Sequence, residues 1–375
     1  MSLVEVVFWA CAGLLVYAQL GYPLLLAALA RLRRRGTSPA LPAQPPTVSL
    51  IIAAYDEEAV IAAKVSNALA LDYPRDRLEI IVAADGCGDA TVVTADEAGA
   101  DLVLDLPRGG KIRAQDAAVA NSTGQIVAFS DANSTWEPDA LTVLAAAFAD
   151  HDVGYACGSV RFVQDEGSNQ EGLYWRYEMA LRALESRLQS ITGGNGAIYA
   201  TRRESYIEVD PIMGHDLSFP FNMVKRGWRA VYVPEARATE KMVPSIEGEF
   251  ARKRRMMSHA WPIVLRGGLL SPRGYPPMYA LMIVSHRVLR YAAPFLHVGA
   301  LLASAALVGS GAIYALAFLL QAAILAGALL APRFPSRPLL VARYYVLTTA
   351  SVAAGLWDWL RHGTAAGWEP AEGTR

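Results

Sequence analysis

The chain has 375 residues, room for one large domain or two ordinary ones, with 53% hydrophobic and 18% charged residues. A formal net charge of −1, with no basic domain, excludes a nucleic-acid-binding protein, and the positive mean hydropathy excludes an ordinary soluble one. Cys11, Cys87 and Cys157 are far apart and form no C-x-x-C pair, which excludes a zinc ribbon or disulfide framework and fits a reducing compartment.

Val6 to Ala30 contains no charged residue and is long enough to span a bilayer. It lacks a basic leader and exceeds the apolar core of a signal peptide. Arg31, Arg33, Arg34 and Arg35 follow; by the positive-inside rule they stay cytoplasmic and the amino terminus faces outward. Thr37 to Pro46, rich in Pro, Ser and Ala, reads as a linker.

Val48 to Ala54 is a β-branched apolar run, expected to be a buried strand. It ends in Tyr55-Asp56-Glu57-Glu58, and a helix pattern continues to about Leu71. Leu78 to Ala84 repeats this and ends in Asp85-Gly86-Cys87-Gly88-Asp89-Ala90-Thr91. A short strand from Asp101 to Leu106 leads to Arg108-Gly109-Gly110-Lys111 and another helix. The next apolar run, from Ile126, stops on Ser130-Asp131-Ala132-Asn133, ahead of a helix expected to start at Trp136-Glu137-Pro138-Asp139. Strand–helix units in succession predict a parallel sheet with helices on both faces and right-handed crossovers. In such a sheet the carboxyl ends of the strands share one rim, where ligands bind. Tyr55, Glu58, Asp85, Asp89, Lys111, Asp131 and Asn133 all fall there. Each alone could be a turn residue or helix cap; together they include a lysine and acids at matching positions, which caps do not require. An acid and an amide on alternate residues could share a hard cation and a phosphate.

Leu173 to Ile191 reads as an amphipathic helix with Tyr177, Leu181, Leu184, Leu188 and Ile191 on a core-facing stripe and Arg176, Arg182 and Arg187 in solvent. Gly193-Gly194-Asn195-Gly196 turns into a strand through Ala200; it is either a plain turn or a close backbone approach to a ligand. Gly214-His215-Asp216-Leu217 opens a helix pattern that runs to Gly227-Trp228, with Asp216 a local N-cap candidate. Around Arg252-Lys253-Arg254-Arg255, Phe250, Met257, Trp261 and Leu265 share a face, a pattern suited to a membrane surface with the cations toward headgroups. Tyr291 to Pro332 lacks Asp, Glu, Lys and Arg and allows two spans turning at Gly309-Ser310-Gly311. Arg287, Arg290, Arg333 and Arg337 flank it and fit a cytoplasmic middle segment. Leu339 to Trp357, interrupted by Arg343, reads as a third span or a surface-lying helix, which leaves the side of the tail open.

Four motifs in order resemble those of the family 2 glycosyltransferases. Ala53-Ala54-Tyr55-Asp56-Glu57-Glu58 is similar to P-A-Y-N-E-E, Asp85 to Thr91 to D-G-S-x-D-x-T, Gly109-Gly110-Lys111 to G-G-K, and Asp131-Ala132-Asn133 to D-x-D. The resemblance spans Val48 to about Arg255. It implies a GT-A fold, an α/β Rossmann-like nucleotide-sugar domain with a mainly parallel sheet, carrying one amino-terminal and two or three carboxy-terminal transmembrane helices. It further implies that Ala54, Tyr55, Glu58, Asp85 and Lys111 bind the nucleotide. Asp131 and Asn133 would hold Mg²⁺ or Mn²⁺ and the diphosphate; Asn133, an amide where the family has a second acid, implies weaker metal affinity. Gly194, Asn195 and Gly196 resemble the acceptor-side strand. His215-Asp216 resembles the E-D or D-D pair whose last aspartate is the general base. Arg255 matches the arginine of Q-x-x-R-W, whereas Met256 replaces its tryptophan and argues against long-polymer synthesis.

The expected layout is a membrane helix with its basic stop (1–36), a linker (37–46), a cytoplasmic catalytic domain (47–240), interface helices (241–290), carboxy-terminal transmembrane helices (291–360) and a tail (361–375). The function so implied is inverting transfer from a UDP-sugar to a lipid-linked or glycan acceptor at a bacterial inner membrane, in cell-envelope polysaccharide synthesis. The partners are then that donor, that acceptor and membrane lipids, with a second copy of the chain as a further candidate. An inactive membrane scaffold stays open, because Asn133, His215 and Met256 depart from the motifs. A sugar nucleotidyltransferase is disfavoured, because the first strand is not followed by a glycine-rich loop.

Overall fold

The computed structural model describes residues 1–32, 42–163, 170–241, 245–364 and 366. The arginines at 33–35, the linker up to residue 41 and the tail beyond residue 366 lie outside the described residues. Helix α1 (Leu3–Val16), a π turn (Tyr17–Gly21) and α2 (Tyr22–Leu32) form one continuous apolar helix.

The expected strand–helix units follow: β1 (Val48–Ala54), α3 (Ile61–Leu69), β2 (Leu78–Asp85), α4 (Thr91–Glu97), β3 (Leu102–Leu106), α5 (Lys111–Ala120) and β4 (Ile126–Asp131). Trp136 does not start a helix. It belongs to a two-residue strand, β5 (Thr135–Trp136), and α6 (Ala140–Ala146) begins only after Pro138. Trp136 is drawn into the sheet because its backbone N–H bonds Asn67 Oδ1 at 2.9 Å and its indole N–H bonds the Ala197 carbonyl at 3.0 Å. Next come β6 (Val153–Val163), α7 (Gln170–Leu188), β7 (Ile198–Arg202), α8 (His215–Lys225) and β8 (Arg229–Lys241).

The eight strands form one sheet in the order β3-β2-β1-β4-β7-β6-β8-β5. The first four are parallel, as expected. β7 reverses direction against β4 and β6, β6 and β8 run parallel, and β5 closes the edge antiparallel to β8. Every residue of β1 is buried, the mark of a strand covered on both faces. Alternation divides its side chains: Leu50 and Ile52 enter a core with Ile61, Val65, Leu141 and Leu144, whereas Ile51 packs with Ala118, Phe129 and Phe219. Each such side chain contributes about 1.5–3 kcal/mol on burial.

The remaining helices are α9 (Ile246–Leu265), α10 (Pro277–Met282), a π segment (Ile283–Val288), α11 (Leu289–Ala306), α12 (Ala312–Leu330) and α13 (Arg337–His362). Helices Leu3–Leu32, Pro277–Ala306, Ala312–Leu330 and Arg337–His362 are long and apolar enough to cross a membrane. The second begins at Pro277 rather than Tyr291, so Arg287 and Arg290 lie within it. They are accommodated because groups outside the helix engage them: Arg287 Nε donates to Thr192 Oγ1 at 2.9 Å, and Arg290 pairs with Glu178 of α7.

Two expectations about polar faces are corrected. Arg182 is not solvated: it is buried on α7 and donates to the Gly194 carbonyl at 3.0 Å. On α9, Trp261 is buried but Leu265 is exposed, and the cations are held by protein groups rather than left for headgroups. Arg252 pairs with Glu249, Lys253 Nζ donates to Tyr344 Oη at 2.9 Å and Arg254 pairs with Asp358. These last two partners belong to α13, which also accepts the Trp261 indole N–H at the Val352 carbonyl, 2.9 Å away. Beyond α13, Thr364 Oγ1 donates to the Ser258 carbonyl at 2.8 Å, and Ala366 reaches the glycine turn ahead of Lys111.

Candidate active site

The rim of the parallel half is built by hydrogen bonds between strand ends. The Asp85 carboxylate, at the tip of β2, accepts the backbone N–H groups of Gly109 (2.6 Å) and Gly110 (2.9 Å). That clamp sets the entry to α5, whose first residue is Lys111. Gly86 (φ 66°) and Gly110 (φ 94°) adopt the left-handed conformations the turn needs, and a Cβ on Gly86 would strike the Arg108 backbone. The Arg108 guanidinium lies 3.1 Å from the centre of the Tyr55 ring. Glu58 accepts the Ala90 N–H at 3.0 Å, joining the ends of β1 and β2. Ala54 is buried at the end of β1.

Lys111 forms an ion pair with Asp131 at the tip of β4. Both line a cleft of about 1200 Å³ that also takes in Gly194, Asn195, Gly196, Asp216 and Arg255. Ala54, Tyr55, Glu58 and Asp85 stand on the adjoining rim, outside the cleft lining, and so does Asn133, two residues beyond Asp131. The far wall comes from α11 and α13, through Tyr291, Val341, Tyr345 and Thr348.

The glycine turn faces the ion pair: a Cβ on Gly196 would lie 3.4 Å from Lys111 Nζ and 3.8 Å from Asp131 Oδ2. The Asn195 side chain is committed to its own loop, donating to the Gly158 carbonyl (2.7 Å) and accepting from Ile198 N–H (2.9 Å). What the turn offers the cleft is therefore backbone. Gly194 N–H donates to the Asp216 carbonyl at 2.6 Å, tying the turn to α8.

Asp216 is not the cap of α8. Gly214 holds that position, without a side-chain hydrogen bond, so the Asp216 carboxylate is not used in capping and lines the cleft. Its neighbour His215 is buried, bonds Tyr199 Oη through Nδ1 at 2.8 Å and stacks on Phe219 with ring centres 3.9 Å apart. Burial, and then the Lys111 charge, hold His215 well below the usual histidine range, so the ring is neutral and adds no charge beside Asp216.

Two charged groups at this site escaped the sequence reading. Lys64, inside the apolar stripe of α3, is buried with Nζ donating to the Ser134 carbonyl at 2.7 Å. Burial pulls it down to about 7 against the opposing pull of Asp131 and Glu240. A lysine among Ile61, Val65 and Ala68 was the available signal. Glu240, near the end of β8, lines the cleft and is pushed up to about 7, by burial first and the Asp131 charge second. Nothing local in the sequence marks it.

The oxygen donors at Asp131 and Asn133 fit Mg²⁺ or Mn²⁺, and the ammonium group held against Asp131 marks that carboxylate as a place for positive charge. A second cluster, Asp56, Cys87 and Asp89, brings one donor atom from each within 4.8 Å. Its oxygens serve neighbouring backbone: Asp56 accepts Gly88 N–H at 2.7 Å and Asp89 accepts Thr91 N–H at 3.0 Å.

The profile of the family described as glycosyltransferase like family 2 matches residues 45–258, more than half of the chain. An N-acetylglucosaminyltransferase of Mesorhizobium japonicum is 27% identical over 230 residues, 56% of this chain and 54% of that protein. A β-monoglucosyldiacylglycerol synthase of Synechocystis is 32% identical over 164 residues, 41% of this chain and 33% of that protein. The chain thus spans about half the length, or less, of these curated relatives. Among solved structures, the mannosyltransferase PcManGT of Pyrobaculum calidifontis, in complex with GDP-Man and Mn²⁺, shares the fold. Its TM-score is 0.73 at 24% identity, covering 96% of this chain and 99% of that one. The expected GT-A class, flanked by membrane-length helices, is the fold observed.

Proposed function

The chain belongs to glycosyltransferase family 2, and from that premise we propose that it transfers a sugar from a UDP-sugar to a lipid-linked or glycan acceptor, with inversion at the anomeric carbon. One observation carries this reading: Lys111, Asp131, the 194–196 turn, Asp216 and Arg255 line a single cleft. The nucleoside end of the donor lies toward Ala54, Tyr55, Glu58 and Asp85, on the adjoining rim. Asp85 acts there by fixing the Gly109–Gly110 turn, and the Tyr55–Arg108 stack offers a flat face to a base.

Asp216 takes the proton from the acceptor hydroxyl as its oxygen attacks the anomeric carbon from the face opposite the leaving diphosphate. The product is β-linked when the donor is α-linked. A divalent cation, Mg²⁺ or Mn²⁺, held by Asp131 with Asn133, would supply Lewis-acid stabilisation of the leaving diphosphate. Lys111 and Arg255 add fixed positive charge along the cleft. Gly194 and Gly196, with no side chain of their own, let the acceptor approach the turn closely.

The cleft wall made by α11 and α13 supports an acceptor that arrives from the lipid side. In this arrangement the helices Leu3–Leu32, Pro277–Ala306 and Ala312–Leu330 cross a bacterial inner membrane, with the catalytic domain on the cytoplasmic face. Helix α13 lies along that face, because its contacts with α9 and the reach of Ala366 to Gly110 keep both on the side of the nucleotide domain.

The test is incubation of the purified full chain with a panel of UDP-sugars and GDP-mannose, membrane lipids and Mn²⁺, followed by mass analysis. A lipid or glycan gaining a sugar with release of UDP is expected. No transfer from any donor would leave the inactive-scaffold reading in its place.

A further inference from the structure

At the tip of β4 Asp131 is followed by Asn133, so this segment brings one carboxylate where a cation beside a diphosphate commonly uses one or two. The sheet delivers another. Strand β5 begins two residues after Asn133 and pairs antiparallel with β8, with Thr135 opposite Thr239 and Trp136 opposite Ala238. Extending that register one step places Glu240 opposite Ser134, on the segment that joins Asp131 to β5. Glu240 lines the same cleft as Asp131 and Lys111.

We propose that Glu240 is a protein ligand of the divalent cation, supplying from β8 the second carboxylate that Asn133 does not provide. The inference rests on the reading of Asp131 as a cation ligand. Both donors are hard oxygens, suited to Mg²⁺ or Mn²⁺, and a cation between them would relieve the repulsion of two carboxylates in a partly desolvated cleft. The competing role for Glu240 is charge balance for Lys64 and Arg252, which needs its charge near those cations but no contact with a metal.

The test is Mn²⁺ binding to the full chain in detergent, by titration calorimetry and by the electron paramagnetic resonance signal of free Mn²⁺, with and without UDP. Glu240→Gln is expected to weaken Mn²⁺ binding at least about tenfold, the scale seen when groups that support a metal are removed. Asn133→Asp in the Glu240→Gln background is expected to restore it. Glu240→Asp keeps the charge but shortens the reach; it too weakens binding if Glu240 is a ligand, and supplies the readout if Glu240→Gln folds poorly. Wild-type Mn²⁺ affinity in folded Glu240→Gln or in Glu240→Asp, with loss in Asp131→Asn, would overturn the proposal and leave the Asp131 site standing. Wild-type affinity in both the Asp131 and Glu240 variants would remove the metal site altogether.

Discussion

The two halves of the sheet solve different problems. In the parallel half, β3-β2-β1-β4, the rim residues follow strand ends, and Asp85 and Glu58 are held by backbone hydrogen bonds from Gly109, Gly110 and Ala90. In the other half, β7-β6-β8-β5, the cleft is assembled from groups far apart in sequence: Arg182, Asp216, Glu240 and Tyr345. Among the described residues, buried polar atoms without hydrogen-bond partners occur beside both halves: the Gln115 amide beside the parallel strands, and Arg182 Nε and Nη1, His215 Nε2 and Tyr155 Oη beside the others. Each unmet buried group costs about 1–3 kcal/mol, a burden that stable packing would remove and that a polar ligand such as a sugar could relieve. On the proposed function, the parallel half carries the nucleotide on a hydrogen-bonded rim, and the other half supplies the wall where the acceptor would lie.

The sharpest way to break this division is Asp216→Asn. Turnover should fall by about 10²–10⁴-fold, the usual contribution of a positioned base, while calorimetry shows nucleotide-sugar binding unchanged. Wild-type turnover would remove the chemistry from the second half. The next largest effect concerns Lys64, buried beneath the junction of the halves. Its value is 10.5 in an unfolded chain and about 7 in the fold. Between those values the unfolded chain holds the extra proton, so stability falls as pH falls from about 10.5 toward 7 and levels off below. The slope from this group approaches roughly 1 kcal/mol per pH unit. Lys64→Met should flatten it in thermal unfolding between pH 7 and 10; an unchanged slope would mean that Lys64 is not the titrating group.

How much of each half was legible follows from the range of the contacts. β1, β2 and β4 are apolar runs stopping on polar residues, so strand, rim and the Lys111–Asp131 neighbourhood could be read locally. β5 could not, since two residues carry no period and Trp136 is recruited by Asn67 and Ala197. Glu240 became a cleft residue only through the β5–β8 register. Arg182 looked like one more cation on a polar helix face, and only the packing of α7 under the 193–196 turn buries it. The same holds for α13, whose apolar composition suits a membrane span while Tyr344, Val352 and Asp358 dock it on α9. Asp216 stands between these cases: its motif pointed to a base, and the structure removed the capping alternative by putting Gly214 at the cap.

Asp85→Ala probes the parallel half. It leaves the Gly109 and Gly110 N–H groups without their acceptor, so a loss of about 1–3 kcal/mol in unfolding stability is expected, with weaker nucleotide binding as Lys111 loses its fixed entry. Loss of stability alone, with nucleotide affinity intact, would detach the clamp from the site.

The smallest effect is expected where the second half meets α13. Arg254 and Asp358 form an ion pair whose side chains are 45% and 24% exposed, and exposed pairs contribute about 0.2–1 kcal/mol. A double-mutant cycle with Arg254→Ala and Asp358→Ala should therefore give a coupling below about 1 kcal/mol, reduced further in high salt. Docking of α13 would then rest on buried contacts, Trp261 against Val352 and Gly355 against the α9 backbone. A Cβ at Gly355 would lie 2.5 Å from Met257 Cβ and 2.8 Å from the Arg254 carbonyl. Gly355→Leu should thus displace α13 far more than removal of the ion pair, and open the cleft wall that Tyr345 and Thr348 provide. A coupling of several kcal/mol in the cycle would reverse that order and make charge, rather than close packing, the force that holds this cleft wall together.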